Sequence, residues 1–336
     1  MAHKPFHLAS PERRGFLAAT AVAATASLPL SAWAQSGSAP IRLIVGFPPG
    51  GSSDAVARQI ADVMRTKLER PVLVDNRAGA AGRVAPEFVK SAPADGTVVL
   101  LTPNPIITQY PSVYKKLSYD PFRDLAPVAQ VASYPLFLTV GPAVPESVRS
   151  LKDYTEWAKL NPKNSFFASP AAGSTPHFVG IMLGRAAGVE LSHVPYRGDA
   201  PAVQDLLGGQ VPMSINVPSA ILPHLASGKV RVLATTGPRR MPDVPNAPTL
   251  AELGYPALRT SDWFGTFVPA ATPAATIAKL QAAIRDALAS PAVRENFAKL
   301  GVEPTYVAAD DFARRNRDDA AEFANTVKAV GFTPED

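Results

Sequence analysis

The chain predicts an α/β fold of two lobes, each a doubly wound, mainly parallel sheet flanked by helices. Three observations carry that expectation: short apolar strands alternate with amphipathic helices from residue 41 onward, the alternation restarts near residue 138, and each run holds a Gly/Ser-rich turn between a strand and a helix. About 300 residues follow a leader-like N-terminus, which is length enough for two cores.

The first unit opens with Ile41-Arg-Leu-Ile-Val45, a buried strand, and passes through Gly46-Phe-Pro-Pro-Gly-Gly-Ser-Ser-Asp54 into a helix. Val56, Ile60, Val63, Met64 and Leu68 fall three and four residues apart and make one apolar stripe, which Pro71 ends. This turn is an anion cradle by construction. Gly50 and Gly51 permit close backbone approach, Ser52 and Ser53 offer hydroxyls, and the first helical N–H groups have no partner within the helix. The plain alternative is the tight βα turn of any doubly wound sheet. The turn has neither the lysine of Gly-x-x-x-x-Gly-Lys-Ser/Thr nor a Gly-x-Gly-x-x-Gly pattern, which argues against nucleotide binding.

Val72–Asn76 follows as a strand, then a Gly-rich turn, a short helix over Val84–Ser91 and a strand over Val98–Thr102, completing βαβαβ. Pro103-Asn104-Pro105 argues against an immediate helix, and the Pro/Tyr-rich stretch up to Pro121 reads as an ordered surface excursion. The second alternation runs helix Ser150–Leu160, strand Ser165–Ser169, turn Pro170–Ser174, helix from Pro176, strand Ser192–Tyr196, helix Pro201–Leu207 and strand Val211–Val217. Its turn, Ala171-Ala-Gly-Ser-Thr175, repeats the device of the first, with Pro176 at the first helical position, where a missing N–H costs nothing. Strands over Val230–Thr236 and Trp263–Pro269 come next. A helix over Pro273–Ala289 with Ile277, Leu280, Ile284 and Leu288 on one stripe and a terminal helix over Asp311–Val330 end the pattern. The last segments return to the first lobe, so the expected division is 35–137 with 257–336 as lobe 1 and 138–256 as lobe 2.

Residues 1–34 read as a cleaved export signal: Lys4, Arg13 and Arg14, an Ala/Leu-rich core from Phe16 to Leu30, and Ala32-Trp33-Ala34 before Gln35. Arg13-Arg14-Gly15-Phe16-Leu17 resembles a twin-arginine signal, with Glu12 where Ser or Thr is usual, and favours that route over the general one. The formal charge is +5, and losing three basic and one acidic residue with the signal leaves +3. That mild excess, without Lys/Arg runs, excludes a nucleic-acid surface and suits capture of small anions. With no cysteine, the chain has no disulfide, no thiol catalyst and no lipidated cysteine. The expected location is the periplasm.

Two α/β lobes, two helix-start turns facing one cleft and an export signal outline a periplasmic binding protein of type II-like fold. The residues themselves resemble the Bug family, the extracytoplasmic solute receptors of tripartite tricarboxylate transporters. The resemblance rests on Ile41–Asp54, Val74-Asp-Asn-Arg77, Leu117-Ser-Tyr-Asp-Pro121, His193-Val-Pro-Tyr-Arg-Gly198, Leu206-Leu-Gly-Gly-Gln210 and Pro223-His-Leu-Ala-Ser-Gly-Lys229, and spans about Pro40 to Gly331. It implies a cleft that closes on a carboxylated solute, a C4–C6 diacid, citrate or an aromatic acid, with the large and small membrane subunits as partners, no cofactor and a monomeric receptor. Carried onto this chain, the first turn supplies Phe47, Pro48, Gly50, Gly51, Ser52, Ser53 and Asp54, and the second supplies Ala172, Gly173, Ser174, Thr175 and His177. Family members commonly have Gly-Asn-Gly-Thr or Gly-Ser-Gly-Thr where this chain has Ala171-Ala-Gly-Ser174, a departure that bears on which solute is bound.

Single residues keep two readings. Asp54 is a solvent-facing helix-start charge or a group that fixes the cradle through backbone amides. His177 pins its lobe or meets ligand, and His193 and His224 read as structural. Tyr196 and Asn216, at strand ends, donate into the cleft or pack in the core. Trp263 and Phe264 line the cleft or fill the hinge, and Arg197 is a partner for a distal carboxylate or a surface charge. Ser174 and His177 have poor general-base spacing, there is no Gly-x-Ser-x-Gly elbow, and the histidines have no metal-ligand spacing, so a secreted hydrolase is a remote alternative. A receptor that presents its ligand to a sensor kinase needs the same cleft and stays open as the nearer alternative.

Overall fold

The computed structural model describes residues 39–334, and the expected export signal lies outside them. The chain forms β1 (Ile41–Val45), α1 (Ser52–Lys67), β2 (Val72–Asn76), α2 (Val84–Lys90), β3 (Val98–Pro103), a π-helical turn (Pro105–Gln109) continuing as α3 (Tyr110–Val113), and β4 (Leu125–Tyr134). There follow β5 (Phe137–Val140), α4 (Leu151–Leu160), β6 (Phe166–Ser169), α5 (Thr175–Ala187), β7 (Ser192–Pro195), α6 (Asp199–Leu207), β8 (Met213–Asn216), α7 (Pro218–Ile221) and β9 (Arg231–Thr235). The chain closes with β10 (Asp262–Pro269), α8 (Ala274–Ala289), α9 (Pro291–Lys299), β11 (Glu303–Ala308) and α10 (Ala309–Ala329).

Two sheets result, of strand order β11-β4-β10-β3-β1-β2 and β7-β6-β8-β5-β9. The parallel units expected from the alternation are the triplets β2-β1-β3 and β7-β6-β8. Antiparallel strands extend each triplet, β10, β4 and β11 in the first sheet and β5 and β9 in the second, so both sheets are mixed. Strands before Pro135 and after Thr260 build the first sheet, and those between build the second. Helices α8 and α10 pack on the first sheet, against β4 in both cases.

The amphipathic stripes sit where their spacing requires. Val56, Ile60 and Met64 of α1 are buried with Val63 and Leu68 packed partly against the same core, and α8 buries Leu280, Ile284 and Leu288. Ser150 opens α4 with a reciprocal capping box: its hydroxyl accepts the Asp153 N–H, and the Asp153 carboxylate accepts the Ser150 N–H.

Three expectations are corrected. A helical turn does start at once after β3, because Pro105 occupies its opening position, where the absent N–H is not needed. The stretch beyond it is no surface excursion: Ile106, Ile107, Tyr110, Val113, Tyr114 and Tyr119 are buried in one apolar cluster with Phe178. Trp263 belongs to the core as well, fully buried, edge-on to Phe312 at 4.8 Å, its Nε1–H donating to Asp319 at 2.9 Å.

The two sheets are joined by two crossing segments, Pro135-Leu136 and residues 236–261. Thr236 ties them together. Its hydroxyl accepts the Leu136 N–H at 2.9 Å and donates to the Thr260 carbonyl at 2.8 Å, while its backbone N–H donates to the Leu136 carbonyl at 3.0 Å. Within the second lobe, α5 approaches β6 so closely that a Cβ on Gly180 would lie 2.2 Å from the Phe167 ring. Alanine normally favours a helix over glycine by about 1 kcal/mol. Here the overlap reverses the sign, and Gly180→Ala is expected to destabilise the protein by about 1–3 kcal/mol, read as a lower urea midpoint; a midpoint at or above wild type would contradict this packing.

Candidate functional site

The turn after β1 is held open by its own residues. Gly50 adopts φ +81°, which favours glycine, whereas Gly51 is extended at φ −79° and would tolerate a Cβ, whose nearest contact is the Pro48 carbonyl at 3.5 Å. Asp54, 3% exposed, accepts the Gly50 N–H at 3.0 Å and two bonds from Arg58 at 2.9 Å each. Burial penalises the Asp54 charge, but the bonds from Arg58, Gly50 and Asn76 outweigh it and hold the carboxyl below its ordinary range. Of its two readings, fixing the cradle is the one its contacts support. Asn76 adds a bond from Nδ2 to the Phe47 carbonyl at 3.1 Å.

Because Asp54 faces back to Gly50, no side chain caps α1. The N–H groups of Ser52 and Ser53 therefore have no helical acceptor, although both residues are buried. The Ser53 hydroxyl borders a cavity and has no hydrogen-bond partner among the described residues. Ser52 is engaged across the seam: its hydroxyl accepts from Ser219 Oγ at 2.8 Å and donates to Asp199 at 3.4 Å.

The turn before α5 is built differently. The Ser174 hydroxyl donates to the Ala171 carbonyl at 2.7 Å, and Gly173, at φ +73°, donates its N–H to His177 Nδ1 at 3.1 Å. The His177 ring stacks on His193 at 3.7 Å, and His193 Nε2 lies 2.7 Å from Ser169 Oγ. Burial pushes His177 down to about 4, and burial with the neighbouring His177 pushes His193 down to about 3, so both are neutral. Since Ser174 faces a carbonyl and His177 accepts from a backbone amide, the pair is no nucleophile and base.

The cavity between the sheets has a volume of about 70 Å³, room for about five waters at the 10–15 Å³ each requires. Phe47, Pro48, Gly51, Ser52 and Ser53 line it from the first sheet with Pro103, Pro105, Ile106 and Tyr110; Ala171, Ser174, Arg197, Asp199 and Val217 line it from the second; Tyr134, Leu136, Asp262 and Phe264 line it beside the crossings. A neighbouring pocket of about 200 Å³, which takes in Gly50 and His224, shares Gly51, Ser52, Asp199 and Ala200 with it, so the Ser52–Asp199 contact stands between the two. Helices α1, α5 and α6 all begin at the cavity, and none has a side-chain cap. Arg197 is the only basic residue among the described lining.

Several expected residues lie elsewhere. Ala172, Gly173, Thr175 and His177 stand behind the wall, because the turn directs Ala171 and Ser174 inward; Thr175 instead accepts from Gln109 Nε2 at 2.6 Å. Tyr196 is turned toward α6, where its hydroxyl donates to Asp205 at 2.6 Å. Asn216 acts through a neighbour, donating from Nδ2 to Asp199 at 3.0 Å. Trp263 offers no face to the cavity, whereas Phe264 does. Asp199 and Asp262 were not anticipated. Asp199 had a signal, an acid in the first turn of a helix, as at Asp54; Asp262, inside an apolar strand, had none. Among the described residues no three His, Asp or Glu side chains form a metal-binding group, and no helix is long and apolar enough to cross a membrane.

A model of the tripartite tricarboxylate transporter family receptor matches residues 56–332. The structure of the periplasmic binding protein BugD superposes with a TM-score of 0.82 at 31% identity, covering 88% of this chain and 99% of BugD. An adipate-bound protein of R. palustris gives 0.84 at 32% identity, over 88% of this chain and 98% of that one. MatC from Rhodopseudomonas palustris with bound malate gives 0.79 at 28% identity, over 86% and 98%.

The stacked histidines make a direct prediction. Their ring-proton resonances should show the neutral form down to about pH 5, because the folded protein holds His177 near 4 and His193 near 3 against 6.5 unfolded. Groups with depressed histidine values contribute stability that is complete above about 6.5 and is lost as pH falls toward 4. Titration of either ring with a midpoint near 6.5 would contradict the buried stack.

Proposed function

The chain belongs to the tripartite tricarboxylate transporter receptor family, a family of periplasmic solute-binding receptors and not of enzymes, and we propose that it captures a small carboxylate between its two sheets for delivery to the large and small membrane subunits of a tripartite transporter. In this reading the export signal is removed after about Ala34, the mature receptor acts as a monomer in the periplasm, and the lobes 35–137 with 257–336 and 138–256 close on the solute as a hinge about the Thr236 crossing.

The observation that carries the proposal is the uncapped start of α1: two buried N–H groups and the unpartnered Ser53 hydroxyl at a cavity wall. An anion is the acceptor that such donors lack. Proline, aromatic and aliphatic residues make up much of the remaining lining, which suits a solute with an apolar body and few polar ends. Two family structures at 32% and 28% identity hold adipate and malate, both dicarboxylates, which supports the same solute class here. Arg197 is the available partner for a second carboxylate.

A thermal-shift panel of adipate, malate, citrate and benzoate against sugars and amines tests the class. A ligand present at about 100 times its dissociation constant adds roughly 2.7 kcal/mol to stability. Stabilisation by a carboxylate is expected, and stabilisation only by sugars or amines would overturn the assignment. A charge-assisted hydrogen bond is worth roughly 1.5–3 kcal/mol, so Ser53→Ala should weaken binding of the selected carboxylate roughly tenfold to a hundredfold at unchanged fold. Calorimetric affinities equal to wild type would remove Ser53 from the site.

A further inference from the structure

Two carboxyl groups, Asp199 and Asp262, face a cavity read as a carboxylate site, and their surroundings differ. Asp199, the first residue of α6, receives Asn216 Nδ2 at 3.0 Å, Ser52 Oγ at 3.4 Å and the Val217 N–H. Its oxygens are occupied as acceptors, and these bonds offset only part of the burial that pushes its carboxyl up. Asp262, 2% exposed on β10, has only uncharged partners: Asn104 Nδ2 at 3.3 Å and the Thr175 hydroxyl. Thr175 opens α5, next to Ser174 in the cavity wall, so Asp262 stands beside one of the helix starts that would attract an anion.

Charged and titratable groups from each neighbouring element leave Asp262 without an ion pair among the described residues. Arg315 of α10 is committed to Asp319 at 3.5 Å and to Gln130 Oε1 at 2.7 Å. Asp319 is itself a like charge, Tyr134 of β4 is a buried neutral phenol across the strand pair, and Asp199 lies across the cavity. An ionised Asp262 would share a space of about 70 Å³ with the carboxylate of the solute, with Arg197, across the cavity on the second sheet, as the only basic residue in the described lining.

We propose that Asp262 is a specificity-determining residue that binds the solute as a neutral acid, its O–H donating to a solute carboxylate, so that the anion and one proton taken from solvent enter together. This rests on the carboxylate reading given above. Burial pushes the Asp262 carboxyl up to about 7, which places its ionisation within the range where a binding experiment detects it. A buried acid of this kind favours solutes that present an acceptor at that end of the cavity and disfavours those that present only a donor already paired elsewhere.

The test is calorimetric titration of the mature receptor with adipate between pH 6.5 and 8.5, where adipate stays fully ionised. With ionisation of the free receptor near 7, linkage raises the wild-type Kd about 20-fold across that interval. At pH 8 the binding heat should differ between phosphate and Tris by the uptake of nearly one proton. Asp262→Asn keeps a donor and removes the titration, so its Kd should be flat over the interval whatever its value at pH 6.5. A wild-type Kd that stays constant, binding without proton uptake, or an Asn variant with the wild-type slope would each overturn the proposal. If the variant does not fold, Asp199→Asn decides instead: it should keep the wild-type slope and proton uptake, and a flat Kd in that variant would assign the proton to Asp199 and overturn the proposal. Failure of adipate, malate, citrate and benzoate to bind even at pH 6.5 would remove the carboxylate reading and this inference with it, whereas binding without a pH slope removes only the role of Asp262.

Discussion

The architecture depends on keeping the start of α1 buried, uncapped and rigid at once. Buried N–H groups without acceptors cost roughly 1–3 kcal/mol each, and a side-chain cap would ordinarily satisfy them. This chain has the residues to do so but directs them elsewhere: Asp54 bends back to Gly50 and Arg58, and Ser52 reaches across to the second sheet. The left-handed Gly50, the Asn76 bond to Phe47 and the parallel triplet β2-β1-β3 then hold the turn in place. The donors that remain border the cavity, where the proposed solute anion would supply the missing acceptor.

The rest of the seam follows from that arrangement. Ser219, Ser52, Asp199 and Asn216 form one line of hydrogen bonds from sheet to sheet, and Gln109 to Thr175 forms another. Both lines are made of short, polar, uncharged contacts apart from Asp199. Contacts of that kind are each worth about 1 kcal/mol net, weak enough to break in the proposed opening of the lobes and specific enough to fix their register on closure. Thr236 bonds to Leu136 and Thr260 and so ties the two crossings together, which makes it the axis of the proposed closure.

Local patterns were legible in the sequence, and nonlocal ones were not. The strand-turn-helix of 41–67 could be read because glycine, serine and a stripe of spacing three and four act within one element. β4 and β11 carry no clean alternation: β4 is buried over most of its length between β10 and β11, and their pairing is set by segments more than 100 residues away. The Pro/Tyr-rich stretch was misread because its composition suits a loop, while its burial comes from α5 and α10 packing over it. Phe47, Pro48 and Gly51–Ser53, legible from the first turn, do line the cavity. Tyr196 was not where its strand-end position suggested, since Asp205 on the following helix draws its hydroxyl away. Asp262 carries no local signal at all, because its chemistry arises from Asn104, Thr175 and the depth of β10.

Amide spectroscopy of the α1 start tests the central claim most directly. In a ¹H–¹⁵N NMR titration with a carboxylate that stabilises the receptor, the Ser52 and Ser53 amide protons should move downfield as they gain a charged acceptor, with smaller changes along the rest of α1. Saturation of binding with both amides unmoved would place the anion elsewhere and contradict the account.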